Sequence, residues 1–167
     1  MIRPATPADA AAIAAIWNPI IRDTAITFTT EEKTEAGLAT LIDTAPAFFV
    51  SDDDGVTGFA LYTQFRNGPG YARTMELTIH LAPGARGKGA GRALMAALID
   101  RAAEQGIGTL WAGIAGENPG SIAFHERCGF RTVAVLPSVG FKFGRWMDLT
   151  LMYRAICAAD DKPHAPA

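Results

Sequence analysis

Apolar residues recur along this chain with two different periods, and the switches between them mark its elements. Ile2 and Arg3 give a short first strand. Thr6-Pro7-Ala8-Asp9 then opens a helix, with Thr6 as cap, Pro7 in the first helical position and Asp9 in the first turn. Ile13, Ile16, Trp17 and Ile20 follow on one face at helical spacing, so this helix packs on a core. Residues 24–29 (Thr-Ala-Ile-Thr-Phe-Thr) predict a loop or a short extended piece. A second helix is predicted from Glu31 to about Asp43, capped by Thr30, with Leu38, Leu41 and Ile42 inward and Pro46 closing it. Phe48 to Val50 and Val56 to Tyr62 predict two strands joined by the hairpin turn Asp52-Asp53-Asp54-Gly55.

After a polar, glycine-containing connection over 63–73, a strand from Thr74 to Ala82 runs into a glycine-rich turn. A long helix follows to Gln105, carrying Leu94, Met95, Leu98, Ile99 and Ala102 on one side, and Gly106 and Gly108 stop it. Thr109 to Ala115 predicts a further strand, and Asn118-Pro119 opens a short helix that ends before Gly129. Two late strands are predicted near Arg131 to Leu136 and Trp146 to Tyr153. Residues 157–167 hold two prolines and no apolar periodicity, and are expected to be a disordered tail. This order predicts an α/β fold, one mixed central sheet with helices on both faces, in a single domain over residues 2–156.

Composition narrows the class. A chain of 167 residues buries roughly two-thirds of its unfolded surface and needs neither metal nor disulfide staple. Fifteen basic against seventeen acidic residues, a net charge of -2, argue against nucleic acid as a partner. Eleven of the fifteen basic residues are arginine, the better fork for carboxylate or phosphate. Cys128 and Cys157 have no metal-ligand spacing, and the three consecutive aspartates are turn chemistry with no further acidic cluster beside them, so no metal is expected. The start Met1-Ile2-Arg3-Pro4 lacks a signal peptide's apolar core, and no apolar run reaches ~18 residues. A soluble, cytoplasmic protein with no membrane partner is the expectation.

Candidate chemistry gathers at three places. The first is the turn Arg86-Gly87-Lys88-Gly89-Ala90-Gly91-Arg92 between strand and helix. Glycines let backbone approach an anion, and the first helical turn offers unpaired N–H groups, so a phosphate-bearing ligand is implied. Gly84 stands too close to Gly87-Lys88 for a P-loop, and no Ser or Thr follows the lysine. Arg92 occupies the place where a dinucleotide fingerprint needs Gly or Ala, which speaks against NAD. An ordinary glycine-rich helix entry is the remaining alternative.

The second place is the strand before the turn. Strand alternation puts Leu77, Ile79 and Leu81 on one face and Glu76, Thr78 and His80 on the other. A carboxylate half-buried in a cleft can have its pKa raised and take a proton from an ammonium group; an ion-paired structural Glu76 is the alternative. His80 would lie ~13 Å further along the strand. The third place is the short helix, where Asn118, Ser121 and His125 share one side. They form either a plain solvent face or a site in which His125 moves a proton.

The spacing Arg86-x-x-Gly89-x-Gly91 resembles the pyrophosphate loop of GCN5-related N-acetyltransferases (GNAT). Asn118-Pro-Gly-Ser121-Ile-Ala-Phe-His125-Glu-Arg-Cys-Gly129-Phe130 is similar to that family's second motif, with His125 where most members carry Tyr. That His, together with Thr74-Met-Glu76-Leu-Thr-Ile-His80-Leu, Gly140-Phe-Lys142-Phe-Gly144-Arg145-Trp146-Met-Asp148-Leu and Asn18-Pro-Ile-Ile-Arg-Asp-Thr24-Ala-Ile-Thr-Phe28, resembles the phosphinothricin and methionine sulfone or sulfoximine N-acetyltransferase branch. The resemblance covers residues 2 to about 154.

It implies the GNAT fold, in which the strand before the turn and the strand after the long helix splay apart around the pantetheine arm. It implies acetyl-CoA held by Arg86, Gly87, Lys88, Gly89, Ala90, Gly91 and Arg92, with Ile79, His80, Leu81, Asn118 and Ser121 along the arm. Glu76 is then the base, and His125 the acid that protonates the departing thiolate, in direct attack within a ternary complex. A small amino acid acceptor is implied, with Phe28, Arg66, Tyr71, Arg73 and Lys142 as its pocket, and a homodimer as the assembly. The chain departs from the branch at His80, where Tyr is usual, at Leu77, and at Arg73, which sits one place off a basic position. A non-catalytic acyl-CoA-binding module, or an enzyme acting on a peptide or protein amine, are the other functions such a chain could have.

Overall fold

The computed structural model describes residues 1–156; the tail expectation for 157–167 and Cys157 lie outside them. The described chain runs β1 (Ile2–Pro4), α1 (Ala10–Asp23), α2 (Glu35–Thr44), β2 (Ala47–Asp52), β3 (Val56–Gln64), β4 (Thr74–Leu81), α3 (Ala90–Glu104), β5 (Thr109–Ala115), α4 (Pro119–Arg127), β6 (Arg131–Lys142) and β7 (Arg145–Ala155). The strands form one seven-stranded sheet in the order β1-β2-β3-β4-β5-β7-β6. Only β4 and β5 are parallel; every other neighbouring pair is antiparallel. The α/β mixed sheet expected from the chain order is present, and the parallel pair is the one bridged by the long helix, as a crossover requires.

Two apolar layers sandwich the sheet. On one face α1 and α2 bury Ile13, Trp17, Ile21, Leu38 and Ile42 against Phe48, Val50, Phe59 and Leu61. On the other α3 buries Leu94, Met95, Leu98 and Ala102 against Phe49, Tyr62, Met75, Leu77 and Leu110. Leu94 and Leu98 are fully buried, each contributing about 1.5–3 kcal/mol by leaving water. Strand alternation makes this possible, since Met75 and Leu77 turn to α3 while Glu76 turns the other way. α1 packs on β3 and reaches β4 through Trp17 and His80, and beyond that contact Glu76 of β4, Gly113 of β5 and Leu149 of β7 line a cleft.

Local signals hold at the N-terminus. Thr6 N–H and Oγ1 both donate to Asp9 Oδ2, at 2.8 and 3.1 Å, and Arg3 bridges Asp9 and Asp52, each at 2.8 Å. The hydrogen-bonded ion pair with Arg3, helped by the two bonds from Thr6, outweighs burial and lowers the pKa of the Asp9 carboxyl to about 2. The second helix differs from expectation: it begins at Glu35, with Thr34 as cap accepting from Gly37 N–H at 3.1 Å, rather than at Glu31 after Thr30. The reason is tertiary, because Asn18 captures the Lys33 backbone, donating to its carbonyl at 3.0 Å and accepting from its N–H at 2.7 Å. The late strands are also longer than predicted. β6 and β7 make one hairpin whose register continues to Lys142 opposite Arg145 past an irregularity between Leu136 and Gly140. No helix among the described residues is long and apolar enough to cross a membrane.

Candidate active site

The site begins where a ladder stops. β4 and β5 pair at Thr74–Thr109, Met75–Leu110 and Glu76–Trp111, and the parallel register ends there. Beyond Glu76 the strands part, and β4 backbone groups from Leu77 onward have no ladder partner on the β5 side. Two connected cavities of about 310 and 380 Å³ fill this notch, sharing Ile26, Ile79, His80, Asn118 and Ser121 as walls. A deep notch bordered by unpaired donors suits a long, flexible, amide-containing chain.

At the outer end of the larger cavity lie Arg86, Gly87 and Gly91. Gly87 and Gly89 adopt φ of +77° and +89°, which explains the glycine run, since side chains are strained in that region. α3 begins bonding with Ala93 N–H to Gly89 carbonyl at 3.1 Å, so the N–H groups of 90–92 are free of helical partners. A Cβ at Gly91 would touch Leu81 and Phe124 at 3.4 Å, an ordinary contact, so the helix start lies close to these walls of the notch. Lys88, Gly89 and Ala90 face a separate groove against Met1 and Ile2, and Arg92 is exposed on the first turn. Ile79, His80 and Leu81 form the β4 wall. His80 packs on the rings of Trp17 and Phe59, with centroids 5.9 and 5.6 Å away. Burial first, then the charge of Arg86, lowers its pKa to about 4.

Glu76 lies at the inner end, in the smaller cavity. Its side chain is open to that space, yet the surrounding walls strip enough water from the carboxyl to raise its pKa above the ordinary glutamate value. Arg66 opposes that shift by charge, but by less than desolvation. Gly113 on β5 makes room for the carboxylate: a Cβ there would stand 3.1 Å from Glu76 Oε1.

His125 is not on a solvent face. It is 2 % exposed, the most buried residue of α4, with the rings of Phe124 and Phe130 edge-on at 5.2 and 5.3 Å. α4 is anchored at both ends: Asn118 Oδ1 accepts from Ser121 N–H at 3.1 Å, and Arg154 of β7 donates to the Cys128 carbonyl. Arg145 of β7 also pairs with Glu117 just before the helix, with Nη2 to Oε2 at 2.7 Å. The His125 Nδ1 lies 2.8 Å from the Ser121 carbonyl, which can only accept, so Nδ1 carries the hydrogen. The neutral ring therefore presents a lone pair at Nε2, a buried atom with no hydrogen-bond partner. Burial lowers the pKa of this ring, more than its bond to Ser121 raises it. At neutral pH His125 is thus set to accept a proton; the acid role expected of it requires that it first receive one.

The acceptor residues expected from sequence divide. Phe28 lines the cavity with Glu76. Arg66 is exposed, 5.4 Å from the centre of the Phe65 ring and within electrostatic reach of Glu76. Tyr71 does not line the cavity with Glu76: it is 44 % exposed in a short turn, Pro69–Tyr71. Arg73 points to the α3–β5 link, where its Nε donates to the Gly106 carbonyl at 2.7 Å. Lys142 is 3 % exposed and tied to backbone carbonyls rather than to the cavity. The structure does not bring these three to the cavity with Glu76, and the sequence could not show this because it displays a charge or an aromatic ring without its long-range partner. Sequence reasoning in turn missed Trp17, Ile26, Thr27, Gly113 and Leu149, which complete the cavity walls. Gly113 carried a signal, since an isolated glycine within a strand pattern marks a close approach. Among the described residues no group of three or more His, Cys, Asp or Glu could hold a metal ion.

A splayed parallel pair, a glycine turn opening α3 and a short helix closing the notch define a class. The chain belongs to the acetyltransferase (GNAT) family, whose model matches residues 14–130. It is 38 % identical over 164 residues to the L-amino acid N-acyltransferase MnaT of Escherichia coli, covering 90 % of this chain and 91 % of that protein. The L-methionine sulfoximine/L-methionine sulfone acetyltransferase of Salmonella typhimurium is 37 % identical over 156 residues, with the same shares covered. A phosphinothricin acetyltransferase from Sinorhizobium meliloti, solved in complex with AcCoA, superimposes with a TM-score of 0.91 at 33 % identity, over 98 % of this chain and 92 % of that one.

Proposed function

We propose that this protein transfers acetyl from acetyl-CoA to the amino group of a small amino-acid-like acceptor, of the methionine sulfone, methionine sulfoximine or phosphinothricin type. The observation that carries the proposal is that Glu76 and His125, from different elements, line one cavity of about 310 Å³ continuous with the notch that leads to the glycine turn. Residues 86–91 hold the pyrophosphate through backbone N–H groups, and Ile79, His80, Leu81, Asn118 and Ser121 flank the pantetheine arm. Unpaired N–H groups of β4 beyond Glu76 are suited to polarise the thioester carbonyl.

Glu76 accepts one proton from the acceptor's ammonium group, directly or through a water, and frees the nitrogen lone pair for attack. As the C–N bond forms, the nitrogen becomes positively charged and holds a second acidic hydrogen. His125 Nε2 takes that hydrogen and delivers it to sulfur as the C–S bond breaks. The ring returns to its neutral Nδ1–H form, and the proton on Glu76 leaves to solvent, so products are the N-acetyl compound, coenzyme A thiol and one proton. This relay fits the buried, unpartnered Nε2 better than a standing imidazolium does. Arg66, beside Glu76, is suited to the acceptor's carboxylate or phosphinate. The assembly we favour is a homodimer through the tip of the β6–β7 hairpin, where Val139, Phe141, Phe143 and Trp146 are 48–63 % exposed.

The test is coenzyme A release from acetyl-CoA across amino acids, their sulfone, sulfoximine and phosphinate analogues, polyamines and peptides. Turnover is expected with the small amino-acid analogues. Tight coenzyme A binding without turnover on any amine would instead identify a binding module, and turnover confined to peptides would overturn the acceptor class.

A further inference from the structure

Two stretches singled out in the sequence, residues 18–28 and 140–149, take almost no part in proton transfer or in holding acetyl-CoA, yet they pack on each other. Lys142, near the end of β6, sends its ammonium group to three backbone carbonyls: Ile21 at 2.5 Å, Thr24 at 2.7 Å and Thr27 at 2.8 Å. That uses all three hydrogens of the group. Ile21 stands in the last turn of α1, whose carbonyls have no helical partners, so the lysine closes the helix end and grips the chain that leaves it. Two residues before Lys142, the backbone of Gly140 lies against the ring of Phe28, and a Cβ at that position would stand only 2.2–2.5 Å from its carbons. From the other direction Asn18 holds both backbone groups of Lys33.

Between these ties, residues 24–29 form no helix or strand, but Ile26, Thr27, Phe28 and Thr29 make the wall of the cavity that Glu76 shares. A segment without ladder bonds keeps its place only through such side-chain anchors.

We propose that Lys142 is a positioning residue for the amine acceptor: seated among the carbonyls of Ile21, Thr24 and Thr27, it fixes the 24–29 wall against β6 and so sets the width of the space beside Glu76. The 140–149 stretch thereby acts on acceptor choice without touching the acceptor. This rests on the acetyl-transfer function proposed above, with the amino group placed at Glu76.

The experiment compares wild type, Lys142→Met and Phe28→Leu, the second keeping the lysine and altering only the wall. Melting, coenzyme A affinity and steady-state constants for both substrates are measured, with methionine sulfone as acceptor. Lys142→Met is expected to keep its coenzyme A affinity while the KM for the amine rises by about tenfold or more, since displacements near 1 Å at a site are costly. Phe28→Leu is expected to raise the same constant. Three results would overturn the inference: an unchanged amine KM in folded Lys142→Met, an equal rise in KM for acetyl-CoA, or no effect of Phe28→Leu where Lys142→Met does not fold. Absence of amine-dependent turnover in wild type would overturn the function itself, a distinguishable outcome.

Discussion

The charge of Arg66 reaches Glu76, the base of the proposed mechanism. Desolvation raises the Glu76 pKa, and the positive charge of Arg66 lowers it by a smaller amount. A base must be deprotonated to act, so kcat/KM should rise with pH through the Glu76 pKa. In Arg66→Gln the opposing charge is gone, the pKa moves further up, and the acid limb of the pH–rate profile should shift to higher pH. An unshifted or lowered limb would remove Arg66 from the surroundings of the base. The same variant should raise the KM for acceptors bearing a carboxylate or phosphinate more than for an uncharged amine, measured in parallel. Lys142 offers the opposite lesson: a lysine can be conspicuous in sequence and still have every hydrogen committed to main chain.

At the scale of elements, the glycine turn and the β4–β5 divergence act together. Gly89, at φ +89° just before α3, takes the left-handed turn into the helix, whose first N–H groups are free of helical partners. Gly89→Ala should cost roughly 1–2 kcal/mol of strain at this left-handed position, and part of it should surface as weaker acetyl-CoA binding. A rise in KM for acetyl-CoA with little change in KM for the amine is the expected result; unchanged binding in the folded variant would contradict the cradle. These elements were legible in the sequence because their signals are local: glycines, an Asn-Pro helix start, and alternation that puts Glu76 opposite Leu77. The start of α2 was not legible, since Asn18 holds Lys33 from fifteen positions away, nor was Lys142, whose partners lie more than a hundred residues earlier. The separation of β4 from β5 was expected only through family resemblance, because no residue of either strand announces where their ladder ends.

For the whole molecule, α1 packs on β3 and the near part of β4, and beyond it residues of β4, β5 and β7 line the cleft. β6, at the sheet edge, alternates between functions: Gly140 and Lys142 turn inward to the 24–29 wall, while Val139 and Phe141 face outward. Phe141 packs on Trp146 across the hairpin with ring centroids 5.0 Å apart, and both are more than half exposed. A hairpin at the sheet edge that exposes such a pair is a natural place for a second copy to dock. Sedimentation should give a dimer for wild type and a shift toward monomer for Trp146→Glu. A wild-type monomer at micromolar concentration would overturn that assignment.

The most direct measurement is the rate of coenzyme A release with acetyl-CoA and methionine sulfone, followed against pH for wild type and Glu76→Gln, with the acylated product identified by mass. Wild type should form the N-acetyl amino acid with a rate that climbs through an acid limb, and Glu76→Gln should lose about 10²-fold or more and the limb with it. No amine-dependent release by wild type, or an unchanged rate and profile in Glu76→Gln, would contradict acetyl transfer driven by this carboxylate.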